Sequence, residues 1–335
     1  MIDLLTHDFW SILAAGFFVG IVVGLTGMGG GALMTPALLF LGVGDASAVV
    51  TADLTAAAVY KSSGAIVHKR HGDPNMQLAK WLVIGSVPMA FIGPFLVRHV
   101  TDSEEQLDFV LKVSIGFALL LAASTYAIRL YIQLRNIRRG THGGWGEPTI
   151  RPLLTVLIGA MGGALVGITS VGSGSVIMVA LLMLYPSLSA HRLVGTDLVQ
   201  AVPLVLSAAV ANIIASGGLD LSLTVPLILG SVPGTVLGSR LAPKVAQSVI
   251  RRGIVIVLTM SGVALLDKSG WAPLGSGDKT FPWLVPAVGG AALILVPLVW
   301  GVLRRLEGLP FVGAPTVREI EEHSQPEEAG VQHPE

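Results

Sequence analysis

The stretch Gly24-Leu-Thr-Gly-Met-Gly-Gly-Gly-Ala-Leu-Met-Thr-Pro36 puts five glycines into eight residues, Gly24 to Gly31, directly after a run of membrane-helix character. That run, Phe9 to Val23, holds only apolar or small residues apart from Ser11. Glycine inside a helix costs about 1 kcal/mol relative to alanine, so the cluster predicts a break. Apolar residues then resume from Ala32 to Val43, too few for the roughly 20 that cross a bilayer core. The pattern fits a hairpin that enters the membrane, turns at the glycines and leaves on the same side. Irregular backbone at that depth is tolerated only where protein buries it or a watery cavity receives it.

The second half of the chain repeats this text. Val23-Gly-Leu-Thr-Gly-Met-Gly-Gly-Gly31 corresponds to Val166-Gly-Ile-Thr-Ser-Val-Gly-Ser-Gly174, and Thr51-Ala-Asp53-Leu54 to Gly195-Thr-Asp197-Leu198. Gly85-Ser-Val-Pro88 corresponds to Gly230-Ser-Val-Pro233, and Gly93 to Gly238. The offset stays between 143 and 145 residues. Each unit contains a hairpin with one short arm and three longer apolar runs. The predicted organisation is a first transmembrane repeat at 9–131, a cytoplasmic linker at 132–152, a second repeat at 153–266, an unpaired transmembrane helix at 282–303 and a disordered cytoplasmic tail at 304–335. Pro88 and Pro233, matched between the halves, read as kinks or hinges.

Composition agrees with an all-α polytopic membrane protein. Of 335 residues, 52% are hydrophobic and 13% charged, with mean hydropathy +0.74; soluble domains carry about 25% charged residues. The formal net charge is zero, so no basic face for nucleic acid is implied. With no cysteine, disulfides, thiolate catalysis and Cys-ligated zinc or iron–sulfur groups are excluded, and no cofactor is expected. The opening Met-Ile-Asp-Leu-Leu-Thr-His-Asp has no Lys or Arg, so the first apolar run reads as retained, not as a cleaved signal.

Charge distribution sets an expected orientation. With the N-terminus outside, His68-Lys-Arg-His71, Arg135 to Arg139, His191-Arg192, Arg240, Lys244, Arg251, Arg252 and Arg304-Arg305 all fall on the cytoplasmic face. The outer loops 99–106, 216–221 and 267–281 hold two lysines and no arginine. Three full crossings per half is an odd number, so the repeats are expected to be inverted and the C-terminus cytoplasmic.

The glycine stretches point to a small anion. A helix starting after a break presents unpaired N–H groups and a partial positive charge, and in transporters built from inverted repeats the substrate sits between such broken helices. The candidate binding residues are Gly27, Gly29, Gly30 and Gly31 with Thr26 in the first half, and Gly172, Ser173, Gly174 and Ser175 with Thr169 and Ser170 in the second. The competing reading is tight helix packing by small residues. A dinucleotide fingerprint, Gly27-Met-Gly29-Gly-Gly-Ala32, lacks the strand and βαβ unit it needs.

Asp53 and Asp197 stand at matched places in long apolar runs, where a charge costs at least ~2.5–3.5 kcal/mol and usually serves a function. They are candidates for coupling or gating, or for bracing a helix start. Gln200 lies one turn after Asp197. Lys61, about 80° round the helix from Asp53 at ~100° per residue, is a candidate anion partner, or snorkels toward His68. It has no counterpart in the second half, where Leu204 or Val205 falls.

Together these two glycine stretches, the Thr-x-Asp or Thr-Asp that follows, and the Gly-Ser-Val-Pro beyond resemble the sulfite exporter TauE/SafE family over about residues 10–266. The resemblance implies an inner-membrane transporter of sulfite, an organosulfonate or a related small anion, often an exporter, with the glycine loops as substrate site. The extra helix at 282–303 and the weaker Gly-Ser-Gly of the second half depart from the pattern. Proton or sodium coupling and homo-oligomerisation stay open. The alternatives are a non-transporting membrane scaffold or assembly factor, and an intramembrane enzyme, for which no recognisable motif is present. Reporter fusions after residues 140 and 219 are expected to report opposite sides of the membrane, with 140 cytoplasmic; both on one side would remove the inverted arrangement.

Overall fold

The computed structural model describes residues 7–26, 31–69, 74–138, 149–172, 174–185, 190–241, 247–270, 284–306 and 310. Among these residues the chain is entirely helical, with eleven helices. The first half gives α1 (His7–Thr26), α2 (Gly31–Leu41), α3 (Ala46–Lys69), α4 (Met76–Val100) and α5 (Glu104–Arg138). The second gives α6 (Pro152–Thr169), α7 (Val176–Leu184), α8 (Ala190–Ala215), α9 (Leu221–Leu241) and α10 (Gln247–Lys268), followed by α11 (Leu284–Leu306). Among the described residues, six helices are long and apolar enough to cross a membrane: α1, α4, α5, α6, α8 and α9. At 1.5 Å per residue α2 rises about 17 Å and α7 about 14 Å, well short of a ~30 Å core. The short arms are therefore real, and both follow a break.

Two helices run furthest past the expected bounds. α5 continues to Arg138, seven residues beyond 131, because Gln133, Leu134, Arg135 and Arg138 all favour helix. α11 continues to Leu306, where Arg304 is buried and its Nε donates to the Pro310 carbonyl at 2.7 Å. The remainder of the expected tail lies outside the described residues.

Small residues decide how the helices pair. Without a hydrophobic drive between helices in lipid, close backbone approach supplies the packing. Gly16, Gly20 and Gly24 face Leu227, Ser231 and Thr235 of α9; a Cβ on Gly20 would stand 2.6 Å from the Ser231 carbonyl oxygen. Gly159, Gly163 and Gly167 of α6 lie in the same way over Leu82, Ser86 and Ala90 of α4. In each pair residue numbers rise together, so α1 runs parallel to α9, and α6 to α4. Each half thus lends its first helix to the fourth helix of the other.

α3 and α8 pack against each other. The start of α3 shares a cavity with Ser216, after the end of α8, while Asn75, beyond the end of α3, donates its N–H to Thr196 Oγ1 near the start of α8 at 2.9 Å. The two helices therefore run in opposite directions. Polarity follows membrane logic: Phe18, Leu96, Met161 and Leu229 are more than half exposed, whereas Thr35, Asp53, Lys61, Ser86, Asp197 and Gln200 are buried. Overpacking a tight core costs about 1–3 kcal/mol. Gly20→Val and Gly163→Val are each expected to lose at least that much, while Gly218→Ala, with open space around it, leaves stability unchanged; thermal unfolding in detergent checks this, and a Gly163→Val protein that melts with the parent contradicts it.

Candidate functional site

The site is built where the two breaks touch. α6 ends at Thr169, and Ser170 adopts a left-handed conformation, φ 59°, with its N–H on the Val166 carbonyl. A non-glycine residue held there stores strain of about 1–3 kcal/mol, a feature that clusters at functional positions. Gly31, the first residue of α2, packs directly on Ser170: an added Cβ would collide with the Ser170 carbonyl and lie 2.6 Å from its Oγ. Only glycine allows this approach. The first glycine stretch of one half thus meets the second stretch of the other.

Asp53 of α3 ties the contact together. Its Oδ2 accepts from Thr35 Oγ1 on α2 at 2.5 Å and from Ser170 Oγ at 2.9 Å. Asp53 and Thr35 are fully buried. Oδ1 of the same carboxylate is buried and has no hydrogen-bond partner. The junction is closed to solvent.

Around the break, backbone groups are satisfied locally, as a membrane interior demands. Thr169 Oγ1 donates to the Leu165 carbonyl at 2.6 Å and accepts from the Val171 N–H at 3.1 Å. Asn212 Nδ2 donates to the Gly167 carbonyl at 2.9 Å. Thr26 Oγ1 donates to the Val22 carbonyl at 2.7 Å. The threonine hydroxyls expected to face an anion therefore give their protons to their own helices. Gly172 takes φ 115°, and its carbonyl accepts from Ser175 and Val176 N–H at 3.4 and 3.2 Å. Ser175 is buried at the start of α7, and its side chain makes no cap bond. Gly174 lies between them in a turn. Gly27, Gly29, Gly30 and Ser173 lie outside the described residues.

The second charged group sits farther along the α3–α8 contact. Gln200 Nε2 donates to Asp197 Oδ1 at 3.0 Å, and Ser86 Oγ donates to Gln200 Oε1 at 3.4 Å. Lys61 is buried, 8% exposed, so it does not reach the surface. It interacts electrostatically with both buried carboxylates, Asp53 and Asp197. One ammonium thus serves the carboxylates of both halves.

Sequence reasoning missed Thr35, Ser86 and Asn212. Thr35 is the only polar side chain of α2, a signal that was available. Ser86 sits inside the repeated Gly-Ser-Val-Pro, and Asn212 is the only amide in the last two turns of α8.

A cavity of about 380 Å³ lies at the end of the bundle, lined in part by Asp45, Arg98, Glu104, Ser216 and Asp220. Arg98 is held there by Glu104 at 3.2 Å and by Ser47 Oγ at 3.3 Å. Three carboxylates against one guanidinium make it a vestibule with a negative balance, not an anion cradle.

A family model described as Sulfite exporter TauE/SafE matches residues 12–265, which takes in both breaks and their junction. The chain belongs to the sulfite exporter TauE/SafE family. It is a multi-pass membrane protein of a transporter family. Over 261 residues it is 35% identical to "Probable membrane transporter protein YjnA" of Bacillus subtilis (strain 168), covering 76% of this chain and 99% of that protein. Over 257 residues it is 26% identical to "Probable membrane transporter protein YdhB" of the same organism, again covering 76% and 99%. No solved structure matches. The family match stops before α11, so that helix and the residues after it are additional to the common frame.

A hydrogen bond to a charged acceptor contributes about 1.5–3 kcal/mol. Thr35→Val and Ser170→Ala are each expected to destabilise by about that much, and the double variant by a non-additive amount, because both donors share one oxygen. Denaturation of the four proteins checks this; additive losses would mean that the two bonds are independent.

Proposed function

We propose that this protein is a secondary transporter, working as an exporter, that carries sulfite, an organosulfonate or a related small anion across the bacterial inner membrane. The observation that carries the reading is the contact between Gly31 and Ser170, which joins two helix breaks from the two halves beside the buried polar groups of α3 and α8. A break of this kind is where inverted-repeat transporters bind substrate. The parallel pairs α1–α9 and α6–α4, with α3 opposed to α8, support inverted repeats, and the placement of the Lys and Arg clusters supports an outer N-terminus and a cytoplasmic C-terminus. Backbone N–H groups at the start of α2 and in the first turn of α7 beyond Val176 hold the anion, and Gly27, Gly29, Gly30 and Ser173 are assigned to the same site. The site binds and moves an anion and performs no covalent chemistry. Family membership favours transport over a scaffold role.

Flux into proteoliposomes tests the proposal, with sulfite, sulfate, sulfoacetate and taurine offered under imposed proton and sodium gradients. Gradient-driven flux of at least one sulfur anion is expected, lost at least tenfold in Gly31→Val and kept in Gly218→Ala. A parent protein that moves none of the four under either gradient contradicts the proposal.

A further inference from the structure

Asp53 occupies the place where an anion would be wanted. Its Oδ2 takes both hydroxyl protons offered at the junction, one from each half. Its Oδ1 is buried and unpartnered. Lys61 interacts with both Asp53 and Asp197, so the two carboxylates share one ammonium. Asp53, Asp197 and Lys61 together leave one negative charge inside the bundle. A second anion brought to the same hydroxyls would meet like charge in a medium of low dielectric, where repulsion is strong.

We propose that the Asp53 carboxylate is a built-in stand-in for the transported anion, and that a proton taken up at Oδ1 transfers the Thr35 and Ser170 hydroxyls from Asp53 to the substrate. The inference rests on the transporter reading above and names its coupling ion. The charge balance closes. The incoming proton forms an O–H bond on Oδ1 and takes Asp53 from −1 to neutral, the substrate brings −1, and the interior keeps its net charge. With Asp53 charged, the hydroxyls stay on Oδ2 and the breaks stay together. With Asp53 neutral, both donors are free for a sulfonate or sulfite oxygen, and the contact between the halves loosens as the anion enters. Anion and proton therefore travel together.

Only one half carries this device. The residue matched to Thr35 is Met178, and Asp197 pairs with Gln200 of its own helix and with Lys61. One coupling proton per cycle follows. The charged surroundings of Asp53 are few. Lys61, also on α3, interacts with it electrostatically, and the same lysine interacts with Asp197 of α8. Asp108 and Lys112 of α5 lie at the start of α3, paired with each other. α2 and α6 carry no charged residue, and α9 carries only Arg240 in its last turn.

Binding of methanesulfonate, which stays ionised throughout, to the purified full chain tests this. In the parent, affinity is expected to fall by about tenfold per pH unit as pH rises, the limit for one linked proton. Calorimetry in buffers of different ionisation enthalpy should read about one proton taken up per anion. Asp53→Asn should bind with neither the pH slope nor the proton uptake, and retention of the parent's slope in that variant overturns the proposal. If Asp53→Asn does not fold, Thr35→Val/Ser170→Ala decides: methanesulfonate affinity reduced more than tenfold is expected, and unchanged affinity overturns the proposal. Hydrogen exchange without any anion separates this inference from the transport reading. Raised exchange of 31–41 and 163–170 in Asp53→Asn, relative to 221–241, supports the latch even if no sulfonate binds, and unchanged exchange there overturns it even if transport proceeds.

Discussion

Two hydroxyls from opposite halves of the chain end on a single carboxylate oxygen, Asp53 Oδ2, and the arrangement around it follows from what a membrane interior permits. A carboxylate there must be held by donors, and a helix that stops there must find partners for its last carbonyls. Ser170 answers both needs. Its N–H closes the end of α6, and its hydroxyl reaches Asp53 117 residues away in sequence. Its left-handed backbone aims the hydroxyl across the gap. The described residues at this contact, Gly31, Thr35, Asp53 and Ser170, are all buried.

That contact depends on the glycine ladders. Gly16, Gly20 and Gly24 bring α1 onto α9, and Gly159, Gly163 and Gly167 bring α6 onto α4. Each ladder seats the first helix of one half on the fourth helix of the other, which carries both breaks into the middle. The described glycines of both ladders are packing residues. Gly24 serves packing against Thr235 and Ser239, one turn before the first break, while Gly31 serves the contact with Ser170.

Much of this was legible in the sequence. The duplicated frame, the two short arms and the matched aspartates are local patterns with a constant offset, and the helices follow them. The partners were not legible. Thr35 meets Asp53, Ser170 crosses to the other half and Lys61 comes to serve both Asp53 and Asp197 only after helices far apart in sequence have packed. The hydroxyls of Thr26 and Thr169 were expected to face a ligand, but a threonine that ends a helix can reach its own i−4 carbonyl, and both do. The asymmetry between Asp53 and Asp197 was hidden as well, because the repeat makes them look equivalent.

The account depends on Thr35 and Ser170 meeting at Asp53, and the absence of native cysteine allows a direct measurement. With a protease site placed in the 139–148 stretch, Thr35→Cys/Ser170→Cys protein in membranes can be oxidised, cut and run on a denaturing gel. The halves are expected to remain joined and to separate only on reduction, while Thr35→Cys/Ser222→Cys separates at once. Halves of Thr35→Cys/Ser170→Cys that part without reductant would contradict the meeting of the two breaks.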